Sequence, residues 1–581
     1  MKVRYRLGVL IATLVATATI SADPGQVKPQ FSAETIHTHV AVLAHDSLEG
    51  RQVGEVGEWK AARYITEQFR AFGLIPAGDS LDADGARTYY QPFEFTKATQ
   101  FGAENRLVVN DLSLKLHEEW RPLVQSASTE FTFDTVISVG YGITMDTADG
   151  DYDDFAGKDV SGRAVLIKRY SPSAEDYPDL DFSRYDYLAS KISNAIEHQA
   201  AAVFMMTPTT DDDTMITAGS VRAMAKEIPI IYLRRTALER LALDLDDPEL
   251  RTVAGRTELV KVRDTGYNVV GLLPGAGDTT IIMGAHYDHL GWGADNSRYQ
   301  GAVPHIHNGA DDNASGTAAL LELARYYASD LNQRHHSLLF IAFSGEEAGI
   351  LGSSYYAGNM TVDSAAVKMM INMDMIGRLK DQDGLVVFGT GSATEFASYF
   401  DSLEVEGLNV ISKESGIGAS DHTAFYSRQT PVLFFFTGAH EDYHMPTDDV
   451  DKIDADGIAQ VCGLVSDIVD HYDLQPGLLT YQRTKSDSSQ QRSGQRFSVT
   501  LGIMPDFIAE VDGLKVGAVT ADKPADRAGI LMGDVIVRMG AVTIGDIYDY
   551  MATLGKFRKG DTTSVLVVRE LDTLLLPVAF E

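Results

Sequence analysis

Apolar residues recur with two different spacings along this chain, and the spacings predict where helices and strands lie. Between residues 33 and 78, apolar positions three or four apart predict two amphipathic helices. Between roughly Val124 and Val262, short β-rich runs alternate with acidic, glycine-containing loops and one helical piece. This change of texture predicts a β-rich module inserted into another domain.

After Tyr267 the chain alternates regularly between strand and helix patterns. The runs TTIIMGAH, HSLLFIAFSG, AAVKMMINMD and PVLFFFTG are nearly continuous apolar strands, and amphipathic helical segments lie among them. Strands of this kind are typical of a mainly parallel sheet that is covered on both faces. We therefore predict an α/β fold with a doubly wound, mixed and mainly parallel sheet.

The end of the chain has a different composition. Residues 481–495 are polar and lack an apolar period, which predicts a flexible linker, and a compact module of short strands follows. The predicted division is a signal peptide (1–22), two parts of the α/β domain (23–125 and 263–474), the insert (126–262), a linker (475–495) and a C-terminal domain (496–581).

The first residues have the three-part pattern of a secretory signal. Three basic residues precede an apolar stretch from Leu7 to Ile20, which is short for a membrane span, and small residues end at Ala22. We expect cleavage near Ala22 and a periplasmic or extracellular protein without a stable membrane span. The single cysteine, Cys462, cannot form an internal disulfide, and its apolar surroundings favour a buried position.

Composition limits the partners of the protein. With 581 residues the chain is expected to form several domains, and its formal net charge of −33 disfavours binding to nucleic acid or anionic membranes. Peptides are compatible with this charge, whereas nucleic acid is not an expected partner.

Two histidines and several carboxylates follow the predicted strands of the α/β domain. Because ligands gather at the carboxyl ends of parallel strands, these residues are expected to meet. They could hold two zinc ions and activate water, since zinc binds imidazole nitrogen and carboxylate oxygen. The residues are His286 in HYDHLG, Asp312 in GADDNASG, Glu346 and Glu347 in FSGEE, Asp374 in NMDMIG and His444 in YHMPTDD.

Local spacing assigns further tasks within this set. Asp288 lies two residues after His286, so it could accept the second imidazole proton and fix the ring. Glu346 and Glu347 are neighbours that point in different directions, so one could bind metal while the other takes a proton from water. Co²⁺ or Mn²⁺ could replace Zn²⁺ at such nitrogen and oxygen ligands.

These motifs resemble the successive ligand motifs of the M28 family of dizinc aminopeptidases, over about residues 31–125 and 263–474. The resemblance implies that His286 and Asp374 hold one zinc, that Glu347 and His444 hold the other, and that Asp312 bridges them. It also implies Glu346 as the general base and Asp288 as the partner of His286. Asp311 is the alternative to Asp312.

Two other regions resemble known domains. The insert, with VGYGI and IPIIYL, resembles a protease-associated (PA) domain. The C-terminal domain resembles a PDZ domain of bacterial proteases through PADRAGILMGDVI, which implies a carboxylate-binding loop at Thr500, Leu501, Gly502 and Ile503 and C-terminal peptides as partners.

Some residues near the motifs have two interpretations. His289, His305 and His307 flank the predicted site and are interpreted as loop residues. Arg378 could meet a peptide carboxylate or serve packing. The GASDHTAF segment could shape the substrate pocket, stabilise an oxyanion or form a structural turn, and its polar residues are Ser420, Asp421 and His422.

The leading hypothesis for function is an exported metallo-aminopeptidase. It would hydrolyse the N-terminal peptide bond of peptides through a hydroxide that bridges two zinc ions, with Glu346 as general base. One alternative is another amide hydrolase on the same metal site, such as a carboxypeptidase, dipeptidase or glutaminyl cyclase-like enzyme. The other is a receptor that binds peptides without cleaving them.

Overall fold

The computed structural model describes most of the chain after residue 30. The predicted signal peptide (1–22) and residues 485–495 of the predicted linker lie outside the described residues. The described residues are 31–484 and 499–580, except 146–150, 174–175, 179, 181, 183–184, 186–187, 216–225, 294–295, 300, 302, 331–332, 506–512, 520–522, 541, 545–549, 551–552, 555 and 570–571.

The helices occur mainly in the predicted α/β domain. They are α1 (Ala33–Leu43), α2 (Val56–Phe72), α3 (Leu188–Glu197), α4 (Arg235–Arg240), α5 (Gly316–Ser329), α6 (Leu351–Gly358), α7 (Thr394–Asp401), α8 (His422–Tyr426), α9 (Ala455–Asp473) and α10 (Pro524–Ala528).

The strands form three separate sheets. Up to residue 257 they are β1 (Ile75–Pro76), β2 (Tyr90–Phe101), β3 (Arg106–Val109), β4 (Leu112–Leu114), β5 (Trp120–Pro122), β6 (Thr129–Ser138), β7 (Ala164–Lys168), β8 (Ala202–Met206), β9 (Ile230–Leu233) and β10 (Arg251–Thr257). Up to residue 436 they are β11 (Leu259–Leu273), β12 (Thr280–His286), β13 (Ser337–Phe343), β14 (Val367–Met373), β15 (Leu385–Phe388), β16 (Val410–Lys413) and β17 (Val432–Phe436). The last are β18 (Ile503–Pro505), β19 (Leu514–Val519), β20 (Val535–Met539), β21 (Val542–Thr543), β22 (Thr562–Arg569) and β23 (Asp572–Ala579).

The first sheet has the order β1-β11-β13-β12-β14-β17-β15-β16, and β2 also pairs with β11. Its four central strands, β13, β12, β14 and β17, are parallel, as the apolar runs predicted. The flank is antiparallel to a greater extent than predicted, because the long strands β2 and β11 pair with each other and β11 pairs with β13. The carboxyl ends of the four central strands therefore lie along one edge.

Helices cover both faces of this sheet. On one face, α1, α2, α5 and α9 contribute to the largest apolar core, and on the other face α6 and α8 border a second core. The predicted helices at 34–46 and 58–74 are confirmed as α1 and α2. Cys462 of α9 is fully buried, in agreement with its predicted packing role.

The insert forms its own eight-stranded sheet, in the order β4-β3-β10-β6-β7-β8-β9-β5. This sheet begins with β3 at Arg106, earlier than the predicted start of the insert at residue 126. The reason is that Leu107 and Val109 are buried and pair with β10, which returns at the far end of the insert. The insert is β-rich as predicted, and its resemblance to a PA domain stays a prediction.

The third sheet lies in the C-terminal domain, in the order β18-β19-β20-β22-β23, with β21 beside β20. Thr500–Ile503 lead into β18, which is at the edge of the described sheet. Gly502 has a φ of +80°, and a Cβ there would lie 2.1 Å from Cβ of Lys523, so this loop needs glycine.

Among the described residues, no helix combines the length and the apolar character that a bilayer crossing requires.

The packing of α1 generates a prediction about pH. His39 is 4% exposed, its Nδ1 lies 2.7 Å from the Tyr64 hydroxyl, and burial lowers its pKa to about 4. A folded-state pKa below the unfolded value near 6.5 means that stability is complete above pH 6.5 and is lost as pH falls toward 4. The corresponding loss is at most about 3 kcal/mol.

We expect His39→Gln to reduce the fall in melting temperature between pH 7.5 and pH 5, because glutamine does not bind the proton. The measurement is calorimetry with a chelator present at both pH values. Exposed His37 lies on the same helix, so His37→Gln is the matched control and should behave like the wild type. An equal fall in all three proteins would contradict the role of His39.

Candidate metal centre

The predicted ligands come together at the carboxyl edge of the central strands. His286 is the last residue of β12, and Asp374 follows β14 directly. Glu346 and Glu347 come three and four residues after β13, and His444 lies in the loop after β17. Asp312 lies in the turn before α5. The four neighbouring strands thus supply all these residues except Asp312, which the β12–α5 connection supplies.

Asp312 lies between two groups of ligand atoms. Its Oδ1 is 3.4 Å from Nε2 of His286, which is also 3.2 Å from Oδ1 of Asp374. Its Oδ2 is 3.2 Å from Nε2 of His444, which is also 3.2 Å from Oε2 of Glu347. Two atoms bound tetrahedrally to one zinc at about 2.0–2.1 Å lie about 3.3–3.4 Å apart. The distances therefore fit one cation on each side of Asp312.

The bonding of the ligand atoms also fits cations. His286 Nε2 and Asp374 Oδ1 are buried, and neither has a hydrogen-bond partner among the described residues. Buried polar atoms normally have a partner, and leaving one without costs about 1–3 kcal/mol. Since both atoms lie on the same side of Asp312, a cation held between them would satisfy both.

Backbone carbonyls orient the two imidazole rings. His444 Nδ1 lies 2.9 Å from the Asn296 carbonyl, which leaves Nε2 for the site. His286 Nδ1 lies 3.2 Å from the carbonyl of Asp288, whereas the Asp288 carboxylate is 3.7 Å away. Asp288 thus holds the ring through its backbone, and its Oδ1 accepts a hydrogen bond from the Glu346 backbone N–H. The predicted carboxylate contact to His286 lies beyond hydrogen-bonding distance.

The site strongly favours positive charge. Burial lowers the pKa of His444, but the carboxylates of Glu347 and Asp312 raise it to about 11. Burial and the neighbouring Glu347 raise the pKa of the Asp312 carboxyl, even though His289 and His444 oppose this effect. A proton and a metal ion compete for such ligands, so metal binding releases protons.

Glu346 lies beside the ligands and is placed differently from Glu347. Burial and the negative charges of Glu347, Asp421 and Asp374 raise its pKa well above the ordinary value, and His286 opposes the shift. The pKa of Glu347 shifts in the opposite direction. Burial raises it, but the nearby His444 and His289 outweigh burial and hold it well below the ordinary value. Adjacent carboxylates with such different surroundings are suited to different tasks.

A second layer of residues fixes the ligand turns. The Asp448 carboxylate accepts hydrogen bonds from the backbone N–H groups of Asp311 and Asp312, both at 3.0 Å. Asp311 points away from the ligands: its Oδ1 accepts from the Gly377 N–H, and its Oδ2 lies 3.0 Å from Nε2 of His440. The alternative ligand Asp311 therefore belongs to this supporting layer.

Arg51 and Glu58, upstream of the insert, reach the same region. Arg51 is fully buried and donates to the carbonyls of Tyr287, Asn308 and Gly309 at 2.6, 2.6 and 3.0 Å. Glu58 accepts from the hydroxyls of Tyr287 and Ser344 at 3.1 and 2.6 Å. The motifs did not point to these two residues, although both lie within residues 31–125, which the resemblance covers.

The structure shows the contacts of the residues near the motifs for which the sequence left two interpretations open. Ser420 donates to Asp374 Oδ2 at 2.7 Å and so orients that carboxylate. His422 is fully buried and stacks on Phe434, with ring centroids 4.4 Å apart. Arg378 is buried and donates to Asp442 at 3.0 Å, in accordance with its packing interpretation.

The three flanking histidines differ from one another. His305 is exposed, and His307 is buried with its Nε2 2.7 Å from the Ser297 hydroxyl. His289, by contrast, is buried in the site, and its Nδ1 lies 2.8 Å from Oε1 of Glu347. His289 thus lies in a loop, as interpreted, but its ring is buried against a predicted ligand. Its position three residues after His286 in the same motif is the signal that could have indicated it.

One arginine connects the site with the C-terminal domain. The backbone N–H of Arg298 donates to the His444 carbonyl at 3.1 Å, and its guanidinium donates to the Tyr443 carbonyl at 3.2 Å. The same guanidinium contacts the carbonyl of Val519 in β19 at 3.4 Å. Arg298 thus bridges the loop that carries the ligand His444 and the end of a strand in the third sheet.

The fold and these groups define an α/β protein with a candidate centre for two metal ions, and comparisons with known proteins show what two parts of the chain resemble. Residues 268–469 match the model of peptidase family M28, and residues 494–579 match that of the PDZ domain. The family match spans all the predicted metal ligands, and the second match spans Thr500–Ile503.

Several curated proteins resemble part of the chain. It is 28% identical over 225 residues to a probable leucine aminopeptidase of Trichophyton verrucosum, covering 36% of this chain and 57% of that protein. It is 32% identical over 179 residues to leupeptin-inactivating enzyme 1 of Streptomyces exfoliatus, covering 30% of this chain and 36% of that protein. The chain thus spans about half the length, or less, of these relatives.

A solved structure also aligns with the chain. The aminopeptidase from Aneurinibacillus sp. strain AM-1 aligns with a TM-score of 0.44 and 24% identity, covering 78% of this chain and 97% of that chain.

Proposed function

We propose that this protein is an exported metallo-aminopeptidase that removes residues from the amino termini of peptides. The observation that carries the proposal is the position of Asp312, with one carboxylate oxygen toward His286 and the other toward His444. The match to peptidase family M28 and the aminopeptidase names of the curated relatives support the reaction class.

The described residues divide into two sets of ligands and a base. His286 and Asp374 would hold one zinc ion, Glu347 and His444 the other, and Asp312 both. Two zinc ions bound there would lower the pKa of water and polarise the carbonyl of the scissile peptide bond. The three carboxylates among these ligands supply three negative charges against the four positive charges of two zinc ions.

Glu346 is the group that would move the proton. The charges of His286 and Asp374 act on the pKa of its carboxyl, and it belongs to neither ligand group, which supports this role. It would take a proton from the attacking water and later deliver it to the departing amine. Positive charge bound next to it would lower its pKa, so that it could accept that proton at neutral pH.

The remaining residues hold this arrangement. Ser420 orients Asp374, Asn296 orients His444, and Asp448 fixes the turn that carries Asp312. These contacts lock the ligand atoms before substrate arrives, which is the condition for efficient metal-assisted hydrolysis.

We expect Glu346→Gln to lower kcat by about 10²- to 10⁴-fold, because glutamine cannot act as a base. Zinc content should stay at the wild-type value, since Glu346 is not assigned as a ligand. The measurements are hydrolysis of an aminoacyl anilide and elemental analysis of the purified protein. Glu406→Gln, an exposed carboxylate, is the matched control. Wild-type turnover by Glu346→Gln would exclude the proposed base.

We expect hydrolysis to require an unblocked amino terminus and bound metal. A panel of peptides, each with a free and with an acetylated amino terminus, should be cleaved only in the free form. Removal of metal with a chelator should abolish this activity, and added Zn²⁺ should restore it. Equal cleavage of acetylated peptides would instead favour another amide hydrolase, and release of the C-terminal residue would favour a carboxypeptidase.

The PDZ domain is proposed to hold the carboxyl terminus of longer substrates, because Thr500–Ile503 lead into the edge strand β18. An extended peptide can pair with such an edge. We expect a chain that ends at residue 484 to keep its turnover of dipeptides and to lose kcat/KM, several-fold, for long peptides. This end point keeps the hydrogen bonds of Gln482 with Ser392 and of Thr484 with Tyr426.

Long peptides with an amidated carboxyl terminus are the control for that truncation, since they lack the carboxylate that the loop would bind. Their kcat/KM should be equal in the full and the shortened chain. Unchanged turnover of long peptides with a free carboxylate would show that the PDZ domain does not hold substrate.

A further inference from the structure

The two groups of ligand atoms are not equivalent, because a third histidine lies on one side only. The turn after β12 places His289 against Glu347, with Nδ1 2.8 Å from Oε1 of Glu347 and 3.8 Å from Oδ2 of Asp312. Its ring faces that of His444 with a centroid distance of 5.8 Å and an interplanar angle of 68°. Two imidazoles therefore flank Glu347 and one oxygen of Asp312, whereas His286 alone lies beside Asp374.

Hydrogen bonding does not account for His289. Its ring is 1% exposed, and neither ring nitrogen has a hydrogen-bond partner among the described residues. Its Nδ1 nevertheless lies 2.8 Å from Oε1 of Glu347, close enough for an ion pair. A cation held by His289, Asp312 and Glu347, whose ligand atoms lie close together, would give Nδ1 of His289 a partner.

His422 is a buried histidine with a purely structural role, and it serves as a comparison. Both ring nitrogens of His422 also lack partners, but its ring stacks on Phe434. Burial lowers the pKa of His422 to about 3, so it is a neutral packing group. His289 differs because its Nδ1 lies 2.8 Å from a carboxylate oxygen of Glu347.

The backbone leaves room for His289 at this place. Gly309, at the start of the GADDNASG turn, has a φ of +58°, and a Cβ there would lie 2.5 Å from Cγ and Cδ2 of the His289 ring. The ring thus packs against the bare backbone of the turn that carries Asp312. The HYDHLG and GADDNASG motifs are therefore in direct contact, and this contact holds the His289 ring against the site.

We propose that Nδ1 of His289 is a direct ligand of the metal ion held by Glu347, His444 and Asp312. This inference rests on the proposed two-metal function. The two metal positions then differ in chemistry, with two imidazoles at one and a single imidazole at the other. Imidazole suits zinc and cobalt, whereas oxygen ligands suit manganese and magnesium. The position of His289 is thus the more selective for Zn²⁺ and Co²⁺, and the position of His286 and Asp374 exchanges more readily with Mn²⁺.

The decisive experiment counts imidazole ligands in the full-length wild-type protein loaded with Co²⁺. A ring that binds Co²⁺ directly has a strongly shifted exchangeable N–H resonance in the proton NMR spectrum. We expect three such resonances, from His286, His289 and His444, and the loss of one in His289→Ala. Only two in the wild type, both kept in His289→Ala, would overturn the proposal. The wild-type count stands even if the variant does not fold.

Metal titrations of the chelator-treated proteins provide a second readout. We expect His289→Ala to bind one Zn²⁺ as the wild type does and to bind the other at least about tenfold more weakly. His305→Ala, an exposed histidine of the neighbouring loop, is the control. Unchanged binding of both ions by His289→Ala would count against the ligand role. If the wild type itself bound fewer than two ions, the two-metal function would fail independently of His289.

Discussion

The structure depends on one electrostatic constraint: many carboxylates are gathered and buried at the carboxyl edge of a parallel sheet. Asp288, Asp311, Asp312 and Asp448 are buried there beside the two glutamates of the β13 loop. Burying charge without a counter-charge is costly, and like charges raise the cost. The protein places Arg51 against the backbone of this region and Arg378 against Asp448, and it directs imidazoles at the remaining carboxylates.

This constraint also explains why the site is surrounded by backbone contacts. A carboxylate cluster would separate if its loops could move, so each loop is fastened by groups outside it. Asp448 binds the turn of Asp312, Glu58 binds the ends of β12 and β13, and Asn313 donates to the carbonyl of Met373 at the end of β14. Ligand geometry is therefore a property of the whole sheet edge.

Much of this arrangement could be predicted from sequence, because parallel strands buried on both faces are apolar along their whole length. The runs TTIIMGAH, HSLLFIAFSG, AAVKMMINMD and PVLFFFTG had this character. Residues that follow parallel strands lie at one edge of the sheet. The structure brings together all six residues of the predicted set.

Other features could not be predicted, because they depend on contacts between distant segments. β3 joins the insert only through pairing with β10, more than 140 residues later, and β2 joins the first sheet only through β11. Arg51 contacts carbonyls that carry no side-chain signal. The contact of His289 with Glu347 was not predicted because Glu347 approaches from another strand, which no local pattern records.

The hydrogen bonds of Arg51 have a consequence for synthesis. Arg51 and its acceptor Gly309 are 258 residues apart, and the whole insert sheet lies between them in the chain. The ribosome therefore synthesises α1 and α2 long before the turn whose carbonyl accepts a hydrogen bond from the buried guanidinium, and the strands of the insert are synthesised in between. The apolar faces of α1 and α2 pack against elements that are synthesised later. We therefore expect these two helices to be among the last elements to reach their final packing, although they are synthesised first.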